Sequence, residues 1–467
     1  MDTGKELADT LWKAANKLRG SLPAGQYKDV ILGLVFLKHA SDIHWKSLAD
    51  NAGSPDIGSL ADEATAAVMA SNPSLSHMVP RSYGGLDPRR LGELVRLLDD
   101  ARLGGRGGRA ARDLMGEVYE YFLGNFARAE GRRGGEFFTP PSLVRVLVEV
   151  LEPARGRVYD PCCGSGGMFV QTENFIVEQR ADPSGVSLYG QESVEQTWRI
   201  AKMNLAVHGI DNAGLGDRWA DTFVDDLHAG TQMDYVMANP PFNVRDWARD
   251  ERDPRWRFGV PPARNANYAW IQHILAKLAP GGKAGVVMAN GSMSSNAAGE
   301  GEIRARIVDA DLVSCMVALP AQLFRSTSIP VCLWFFAMAK GDRSGQVLFV
   351  DARDLGQLVD RAERALGDDD VARIGDTYHA WSGSRSAAAK GLVYEDVPGF
   401  CRSVSLDEIR SSEYALTPGR YVGAPATEAD GEPPEARIAR VTGDLLTALD
   451  ESARLEKVVR DHVQGLQ

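Results

Sequence analysis

The stretch with the clearest capacity for chemistry is Asn239-Pro240-Pro241-Phe242, which directly follows an apolar run that ends at Ala238. Two consecutive prolines forbid any continuation of sheet or helix, because neither has an N–H to donate and each fixes its own φ. An ordinary turn would offer Gly, Asp or Ser instead. A rigid corner without donors at the end of a strand therefore indicates that a ligand or substrate is held there.

A second stretch of this kind is DPCCGSGG at residues 160–167, which follows a predicted strand and opens a predicted helix. Gly164, Gly166 and Gly167 allow a sharp turn and bring a ligand close to a helix N-terminus. The spacing is neither that of the dinucleotide-binding GxGxxG pattern nor that of a P-loop. Asp160, at the strand end, suits a ligand with a positive centre. For this turn alone, a purely structural role stays open.

Two more acids, Glu192 and Asp221, follow the next predicted strand ends, in YGQES and WADTF. In a doubly wound fold, an acid at such a position binds ribose hydroxyls. Each acid alone could be a solvated loop residue. Three acids at successive strand ends beside a glycine-rich turn predict a nucleoside pocket at the switch point of the sheet.

These residues are positioned by a repeating pattern that runs from residue 131 to about residue 355. Short apolar β-rich runs alternate there with helical stretches, which predicts a doubly wound, mostly parallel α/β sheet. Late runs separated only by a loop at 320–331 predict an antiparallel hairpin at one edge. The predicted strands lie in GRVYD, SLYGQES, WADTF, MDYVMANPPF, KAGVVMANGSM, DLVSCMVALP, VCLWFFAMAK and QVLFVDAR.

Four segments are predicted along the chain. Residues 1–128 form a helical N-terminal domain and residues 129–424 the α/β domain; an acidic, Pro-rich linker at 425–436 and a C-terminal helix at 437–467 follow. A stripe of apolar residues on that last helix must pack against something, either its own chain or a partner. Both alternatives remain open, and we favour docking on a partner. The stripe contains Ile438, Val441, Leu445, Leu449 and Val459.

The composition is that of a globular protein of 467 residues with a net charge of −11 and five cysteines. No CxxC spacing occurs, so we expect neither a disulfide framework nor a metal site. No apolar run approaches the roughly 20 residues of a membrane span, and MDTGKELADT does not resemble a signal peptide. We therefore expect a cytoplasmic protein that does not contact membranes. A stand-alone nucleic-acid binder would usually be basic.

Three motifs together resemble a known family. GEFFTP at 135–140, DPCCGSGG at 160–167 and NPPF at 239–242 occur in the order found in amino-group DNA methyltransferases. The chain is most similar to the modification (M) subunit of type I restriction–modification systems. The helical N-terminal segment, NANYAWIQHILAKLAPGGKAGVVMANGSM, LPAQLFRSTSIPVCLWFF and YALTPGRYV also resemble that family, up to about residue 423.

The resemblance implies that the α/β domain is a Rossmann-like methyltransferase domain that binds S-adenosylmethionine and methylates N6 of adenine in double-stranded DNA. Thr139 and Pro140 would lie nearest the methionine carboxylate, Glu192 would hold the ribose hydroxyls, and Asp221 would approach the adenine amino group. The implied cofactor-binding residues are Glu136, Phe137, Phe138, Thr139, Pro140, Pro141, Asp160, Gly164, Ser165, Gly166, Gly167, Glu192 and Asp221.

In such an enzyme, Asn239, Pro240, Pro241 and Phe242 would be the catalytic residues. The exocyclic amine of adenine is a poor nucleophile because its lone pair is delocalised into the ring. The Asn239 side-chain carbonyl and the Pro240 backbone carbonyl would accept hydrogen bonds from the two N–H groups of this amine, which would free its lone pair. The prolines keep both acceptors rigid, which is electrostatic preorganisation. Phe242 offers a surface for a base that is flipped out of the duplex.

An arginine-rich loop follows the corner, with Arg245, Arg249, Trp256 and Arg257 as candidate DNA contacts. Arginines beside a catalytic pocket could bind phosphates, and an aromatic ring could support the flipped strand. A solvated, charged loop is an equally good interpretation, because acids alternate with the arginines.

The net negative charge and the absence of a recognisable DNA-reading segment predict that partners supply the specificity for a DNA sequence. The resemblance implies a separate specificity (S) subunit, a second copy of this chain in an M2S1 assembly, and a motor–nuclease (R) subunit that can join. Alternative substrates for the same corner are cytosine N4, RNA and protein glutamine. A non-enzymatic scaffold would require a damaged corner, and residues 239–242 are intact.

Overall fold

A computed structural model of the chain describes residues 12–13, 24–71, 78–79, 82–100, 109–130, 139–179, 182, 185–324, 329–359, 363–424 and 434–464. The predicted site residues Glu136, Phe137 and Phe138 lie outside these ranges. The chain divides into two compact units, Met1–Val422 and Gly423–Gln467, and each is described by itself.

The beginning of the first unit is helical, as the sequence predicts. Apolar side chains recur every three or four residues and are buried, for example Leu91, Leu94, Val95 and Leu98. These helices share one apolar cluster. The predicted run ELADTLWKAANKLRG lies outside the described residues apart from Trp12 and Lys13. The helices are α1 (Ala24–Ala40), α2 (Asp42–Asp50), α3 (Ile57–Ser71), α4 (Pro88–Asp100) and α5 (Arg109–Glu130).

The rest of the first unit contains an eight-stranded sheet with the order β10-β7-β5-β6-β4-β3-β1-β2. Strand β1 is parallel to β2 and β3, and β3 is parallel to β4. A separate two-stranded ribbon pairs β8 with β9. The strands are β1 (Gly156–Asp160), β2 (Val186–Gly190), β3 (Met233–Ala238), β4 (Leu278–Ala289), β5 (Val313–Ala318), β6 (Val331–Ala337), β7 (Gln346–Asp351), β8 (Gln357–Leu358), β9 (Arg364–Ala365) and β10 (Cys401–Ser405).

Seven of the predicted strands form, and the predicted antiparallel pairing joins β5 to β6. The predicted place of this hairpin at a sheet edge is wrong, because β6 inserts between β4 and β5 and β7 lies on the other side of β5. Strand β10, which the sequence did not reveal, pairs with β7 and forms the edge. The predicted strand ending near Asp221 is wrong. Strand β3 pairs directly with β1, which leaves no place for another strand between them, and the polar segment around Asp221 is a loop.

Helices cover both faces of the sheet. Helices α6, α7 and α11 pack in one apolar cluster with the strands, and α9 and α10 pack in another on the opposite face. Helix α8 also joins the N-terminal helical cluster through Ile200, Met203 and Val207, so the helical part packs directly on the sheet domain. The bounds are α6 (Pro141–Leu151), α7 (Gly167–Glu178), α8 (Glu195–Val207), α9 (Asn267–Lys277), α10 (Glu300–Asp309), α11 (Asp368–Ser382), α12 (Arg385–Lys390) and α13 (Leu406–Ser411).

Parallel neighbours end at the same edge of a sheet. The carboxyl ends of β1, β2 and β3, at Asp160, Gly190 and Ala238, therefore lie side by side, and the glycine-rich turn, Glu192 and Asn239 follow them directly. This edge is where ligands bind in doubly wound folds.

The second unit contains helix α14 (Pro434–Gln464), which has 31 residues. Its apolar side chains at 438, 441, 445 and 449 are each more than half exposed. The side chain of Val459, predicted to continue this stripe, lies outside the described residues. Among the helices of the described ranges, none combines the length and apolar character needed to cross a membrane.

Candidate active site

The glycine-rich turn has the backbone conformation that its glycines predict. Gly164 and Gly166 have φ of 53° and 83°, in the left-handed region that glycine adopts most readily. No atom lies within 4 Å of the place where a side chain on Gly164 would begin, so the turn leaves open space there. Helix α7 begins immediately after it, at Gly167, and the N-cap residue Gly166 makes no side-chain cap hydrogen bond.

Glu192 holds this turn in place. Its two carboxylate oxygens accept hydrogen bonds from the backbone N–H groups of Gly164, at 3.1 Å, and Val194, at 2.9 Å. The side chain is 9% exposed. The predicted acid after β2 therefore links the glycine-rich turn to the start of α8, in addition to lining the cavity described below.

Asp160 is a buried carboxyl group at the end of β1, 2% exposed. Its Oδ1 accepts a hydrogen bond from the backbone N–H of Cys162 at 3.0 Å. Burial raises the pKa of Asp160 to about 7, and the charge of Glu192 adds to the effect. Burial also raises the pKa of the Cys162 and Cys163 thiols, so both are neutral at pH 7. An added cation near Asp160 would favour its ionised form.

The corner after β3 presents one acceptor without a protein partner. Asn239 donates from Nδ2 to the Thr139 hydroxyl at 2.8 Å, which orients the amide. Its Oδ1 is buried and accepts no hydrogen bond. A buried carbonyl without a donor is costly, so a donor on the substrate is the natural partner for it.

Two residues that the sequence interpretation missed support this corner. Asn243 has φ of 56°, and its amide is paired with that of Asn267 at the start of α9. Asn267 donates to the Asn243 Oδ1 and accepts from the Asn243 backbone N–H, both at 2.9 Å. Asn267 is 3% exposed. An asparagine at the first position of the helix NYAWIQHILAK was the available signal.

Phe242 lies beside the corner and packs on the core. Its ring forms a T-shaped contact with the ring of Phe324, at a centroid distance of 6.2 Å and an interplanar angle of 85°. The side chain is half-buried, not fully exposed toward the site. Phe242 and Pro240 are not among the described residues that line the cavity, whereas Pro241 is.

A cavity of about 360 Å³ joins most of the predicted residues. That volume lies within the usual range for small-molecule sites. The glycine-rich turn, the three predicted acids, Thr139 and the corner all contribute to its wall. The predicted residues that line it are Thr139, Asp160, Gly164, Ser165, Gly167, Glu192, Asp221, Asn239 and Pro241. Pro140 and Gly166 are next to lining residues in the chain.

One part of the wall is aromatic, which sequence interpretation did not predict. Phe223, Trp247 and Trp270 line the cavity next to Asp221. The Phe223 ring lies 4.4 Å from that of Trp270 and 5.1 Å from that of Trp247, measured between centroids. Asp221 is exposed, and its Oδ1 accepts a hydrogen bond from the Phe223 backbone N–H at 2.8 Å. An acid beside a cluster of tilted aromatic rings suits a planar base with an amino group.

The arginine-rich loop is tied to the site by Arg255. Its guanidinium donates to the Thr222 carbonyl at 2.9 Å and to the His273 Nδ1 at 3.0 Å, and it is paired with Asp253. Burial, with the charges of Arg255 and Lys277, holds the pKa of His273 well below its usual value. The neutral imidazole therefore accepts from Arg255 at Nδ1.

The candidate DNA contacts differ in exposure. Arg245 and Arg257 are exposed. Arg249 is half-buried and donates to the Pro261 carbonyl at 2.9 Å. Trp256 is only 8% exposed, and its indole N–H donates to the Asp250 carbonyl at 2.7 Å.

The sheet order and the site at its carboxyl edge define a methyltransferase fold. The methyltransferase subunit of a type I restriction–modification system from Streptococcus thermophilus superposes with a TM-score of 0.72 at 22% identity, over 90% of this chain and 100% of that one. The doubly wound fold that the sequence predicts, with its helical N-terminus, is thus confirmed.

Sequence comparisons identify the family. The model described as N-6 DNA Methylase matches residues 110–430, and that of the HsdM N-terminal domain matches residues 7–83. The HindI methylase subunit of Haemophilus influenzae is 49% identical over 358 residues, which cover 76% of this chain and 79% of that protein. The MjaIX methylase subunit of Methanocaldococcus jannaschii is 34% identical over 99% of this chain and 91% of that protein. The chain belongs to the N-6 DNA methylase family, among the methylase subunits of type I restriction enzymes, as the motifs predict.

Proposed function

We propose that the chain binds S-adenosylmethionine and transfers its methyl group to N6 of a flipped adenine in double-stranded DNA. The observation that carries this proposal is the buried, unpartnered Oδ1 of Asn239 at the rigid corner. An amine held at that oxygen would lie next to a cavity large enough for a nucleoside ligand.

The residues of the cavity fit the proposed cofactor. Asp160, a buried carboxyl with a raised pKa, suits the ligand's ammonium group, and Glu192, which lines the cavity, would accept hydrogen bonds from ribose hydroxyls. Asp221 and the rings of Phe223 and Trp270 suit an adenine. Thr139, with Pro140, Pro141, Ser165 and the glycines of the turn, would hold the methionine end. When bound, this cofactor supplies an electrophilic methyl group on a sulfonium.

The chain's own part in catalysis is to hold the amine. The Asn239 Oδ1 and the Pro240 carbonyl would accept its two N–H groups, which frees the nitrogen lone pair for attack on the methyl carbon. Thr139 fixes the rotamer of Asn239 by accepting from Nδ2. The amine gives up one proton to water after the transfer, and the thioether departs. Phe242 would support the flipped base by its ring.

The arginine-rich loop would contact DNA through its exposed members. Arg245 and Arg257 are available for phosphates, and Arg249 offers one part of its guanidinium. Trp256, because it is buried, would contribute by holding the loop and not by stacking on a base.

Partners would complete the enzyme. The exposed apolar stripe of α14 fits a helical partner surface, and a specificity subunit is the proposed occupant. A second copy of the chain would join in an M2S1 assembly, to which a motor–nuclease subunit can bind. The division at residues 128, 424 and 436 remains our proposal for the domain boundaries.

The test uses this chain co-purified with its specificity partner and measures transfer of a labelled methyl group to DNA. Asn239→Ala should lower turnover by at least about 100-fold, as loss of one preorganised group does in other sites, while binding of S-adenosylhomocysteine is retained. Asn51→Ala, on the surface of the helical part, is the matched control. Mass spectrometry of the nucleosides should find N6-methyladenine. N4-methylcytosine, or unchanged turnover in Asn239→Ala, would contradict the proposal.

A further inference from the structure

We propose that Arg255, in the arginine-rich loop, positions Asp221 and thereby gives the cofactor site its preference for the amino group of adenine. The loop would then serve cofactor recognition as well as DNA contact. Arg255 is not among the described residues that line the cavity, so it acts as a positioning residue. The inference rests on the proposed function, because it concerns the same ligand.

A single peptide unit, between Thr222 and Phe223, joins Arg255 to Asp221. The Arg255 Nη1 donates to the carbonyl of this unit at 2.9 Å. The N–H of the same unit donates to the Asp221 Oδ1 at 2.8 Å. Because a peptide unit is planar, its two ends turn together. The guanidinium therefore fixes the direction from which the N–H holds the carboxylate, and its hydrogen bond also polarises that N–H.

This peptide unit belongs to the cavity wall. Asp221, Thr222 and Phe223 all line the cavity. Thr222 is 3% exposed, and its hydroxyl donates to the Pro161 carbonyl at 2.6 Å, which ties the unit to the segment that follows β1. Among the described residues, the Asp221 carboxylate forms its side-chain hydrogen bond through Oδ1 alone, so Oδ2 is available for a ligand.

The guanidinium of Arg255 is itself held from several sides. Asp253 accepts from Nε with both carboxylate oxygens, at 2.9 and 2.8 Å, and Nη1 also donates to the His273 Nδ1 at 3.0 Å. The guanidinium carbon lies 5.6 Å from the centroid of the Phe223 ring and 5.4 Å from that of Trp256. The side chain is 16% exposed. A planar fork with this many partners keeps one orientation, so it can fix the peptide unit.

The atom that this arrangement selects is the exocyclic nitrogen of the cofactor's adenine. In the proposed function, Asp221 accepts a hydrogen bond from that amino group. An ionised carboxylate only accepts hydrogen bonds, so it favours a 6-amino group over a hydrogen at the same place. Hydrogen bonds weaken steeply as their angle departs from linear, so this preference depends on the direction that Arg255 imposes.

The test compares two ligands that differ only in this amino group. They are S-adenosylhomocysteine and its purine analogue, in which a hydrogen replaces the 6-amino group. Calorimetry on the full chain gives the ratio of the two Kd values. The wild type should favour S-adenosylhomocysteine by about 10- to 100-fold, the value of a hydrogen bond to a charged group. In Arg255→Met this ratio should fall below about threefold. Arg255→Lys, which keeps the charge and a donor, should recover part of the ratio.

Arg252→Met is the matched control, because Arg252 lies in the same loop, is exposed and is not among the described lining residues. It should keep the wild-type ratio. Asp221→Ala should lower the ratio as Arg255→Met does, and the double variant should lower it no further, because both changes act on one hydrogen bond. The ratio compares two ligands on the same folded protein, so a loss of stability alone leaves it unchanged. Arg255→Gln serves as a second variant should Arg255→Met unfold, with thermal unfolding as the check.

A wild-type ratio in the Arg255 variants would limit Arg255 to holding the loop and overturn the inference. Additive losses in the double variant would overturn it as well, because Arg255 would then act independently of Asp221. In those two cases the wild type still binds S-adenosylhomocysteine, so the proposed function stands. A wild type that binds both ligands equally would overturn the place of Asp221 at the amino group, and the inference with it. A wild type that binds neither ligand would overturn the proposed function itself.

Discussion

At the scale of single residues, the site depends on polar atoms that the fold keeps away from water. Asp160 and the Asn239 Oδ1 are both buried, one as a carboxyl with a raised pKa and the other as an acceptor without a donor. Neither arrangement is favourable for the protein alone. Each becomes favourable when a ligand or substrate supplies the missing charge or hydrogen, which is the general property of a preorganised site.

The pH dependence of cofactor binding follows from Asp160. Because the folded protein raises the pKa of Asp160 from 3.8 to about 7, the folded state holds an extra proton between those values. Without ligand, stability should therefore fall as pH rises from about 4 to about 7. A bound ammonium group favours the ionised carboxylate, so S-adenosylhomocysteine should bind more weakly at pH 6 than at pH 8.

Calorimetry in two buffers of different ionisation enthalpy measures the proton released on binding near pH 6.5. Asp160→Asn should remove that release and weaken binding, while Asp217→Asn, an exposed acid, should change neither. Binding that is independent of pH from 6 to 8 in the wild type would contradict the assignment.

At the scale of elements, the corner and the arginine-rich loop are held by contacts to neighbours distant in sequence. The amide pair of Asn243 and Asn267 joins the corner to α9, and Arg255 joins the loop to Thr222 and His273. The amide pair therefore joins the two ends of the loop, and Arg255 holds its middle beside the cavity.

Loss of the amide pair should affect turnover more than cofactor binding. Asn267→Ala leaves the Asn243 backbone N–H without its acceptor and should lower the free energy of unfolding by about 1–2 kcal/mol. The corner would then be less rigid, so methyl transfer should slow while the Kd for S-adenosylhomocysteine stays the same. Asn51→Ala, an exposed asparagine of the helical part, is the control. A larger effect on Kd than on turnover would argue against a role at the corner.

Replacement of Arg255, which holds the arginine-rich loop, should lower the free energy of unfolding because its side chain is mostly buried. Arg255→Met removes the guanidinium partner of Asp253 and the guanidinium donor to the Thr222 carbonyl, and we expect a loss of about 2–3 kcal/mol in the free energy of unfolding. Denaturant unfolding measures it. Arg252→Met, in the same loop and exposed, should change stability by less than about 0.5 kcal/mol. Equal losses in the two variants would show that Arg255 is not the anchor.

At the scale of the whole molecule, a net charge of −11 must be reconciled with a DNA substrate. The described arginines of the loop supply only a local basic surface, so we expect partners to provide most phosphate contacts. The purified chain alone should methylate DNA poorly or not at all, and addition of a specificity subunit should restore activity. Labelled methyl transfer to plasmid DNA checks this, and strong methylation by the chain alone would contradict it.

The apolar stripe of α14 should be required for that restoration. Leu445→Asp with Leu449→Asp places two charges on the stripe, so co-elution with the specificity subunit in size-exclusion chromatography should be lost. Binding of S-adenosylhomocysteine should stay as in the wild type. Thr447→Asp, on the opposite side of the helix, is the control. Retained co-elution in the double variant would place the docking surface elsewhere.

Much of the sheet could be predicted because its strands are short apolar runs between helical stretches. Asp160, Glu192 and Asn239 could be predicted as site residues by their place after such runs. Strand β10 was missed because its sequence, CRSVS, is short, contains only two apolar residues and does not alternate regularly. A strand was wrongly placed before Asp221, since an acid in the expected position was taken as a strand end. Asp221 still lines the cavity, because its loop reaches back to the end of β1 through Thr222 and Pro161.

The sequence by itself determined the motif order, the alternation of strand and helix and the rigid Asn239 corner, because these depend on neighbours in the chain. Only the tertiary structure decided that Thr139 orients Asn239, that Asn267 and Arg255 hold the flanking loop, and that Arg255 also holds the carbonyl of Thr222 beside Asp221. Each of these contacts joins residues far apart in the chain. Their partners are set by how helices pack on the sheet, and local residue patterns contain no information on that packing.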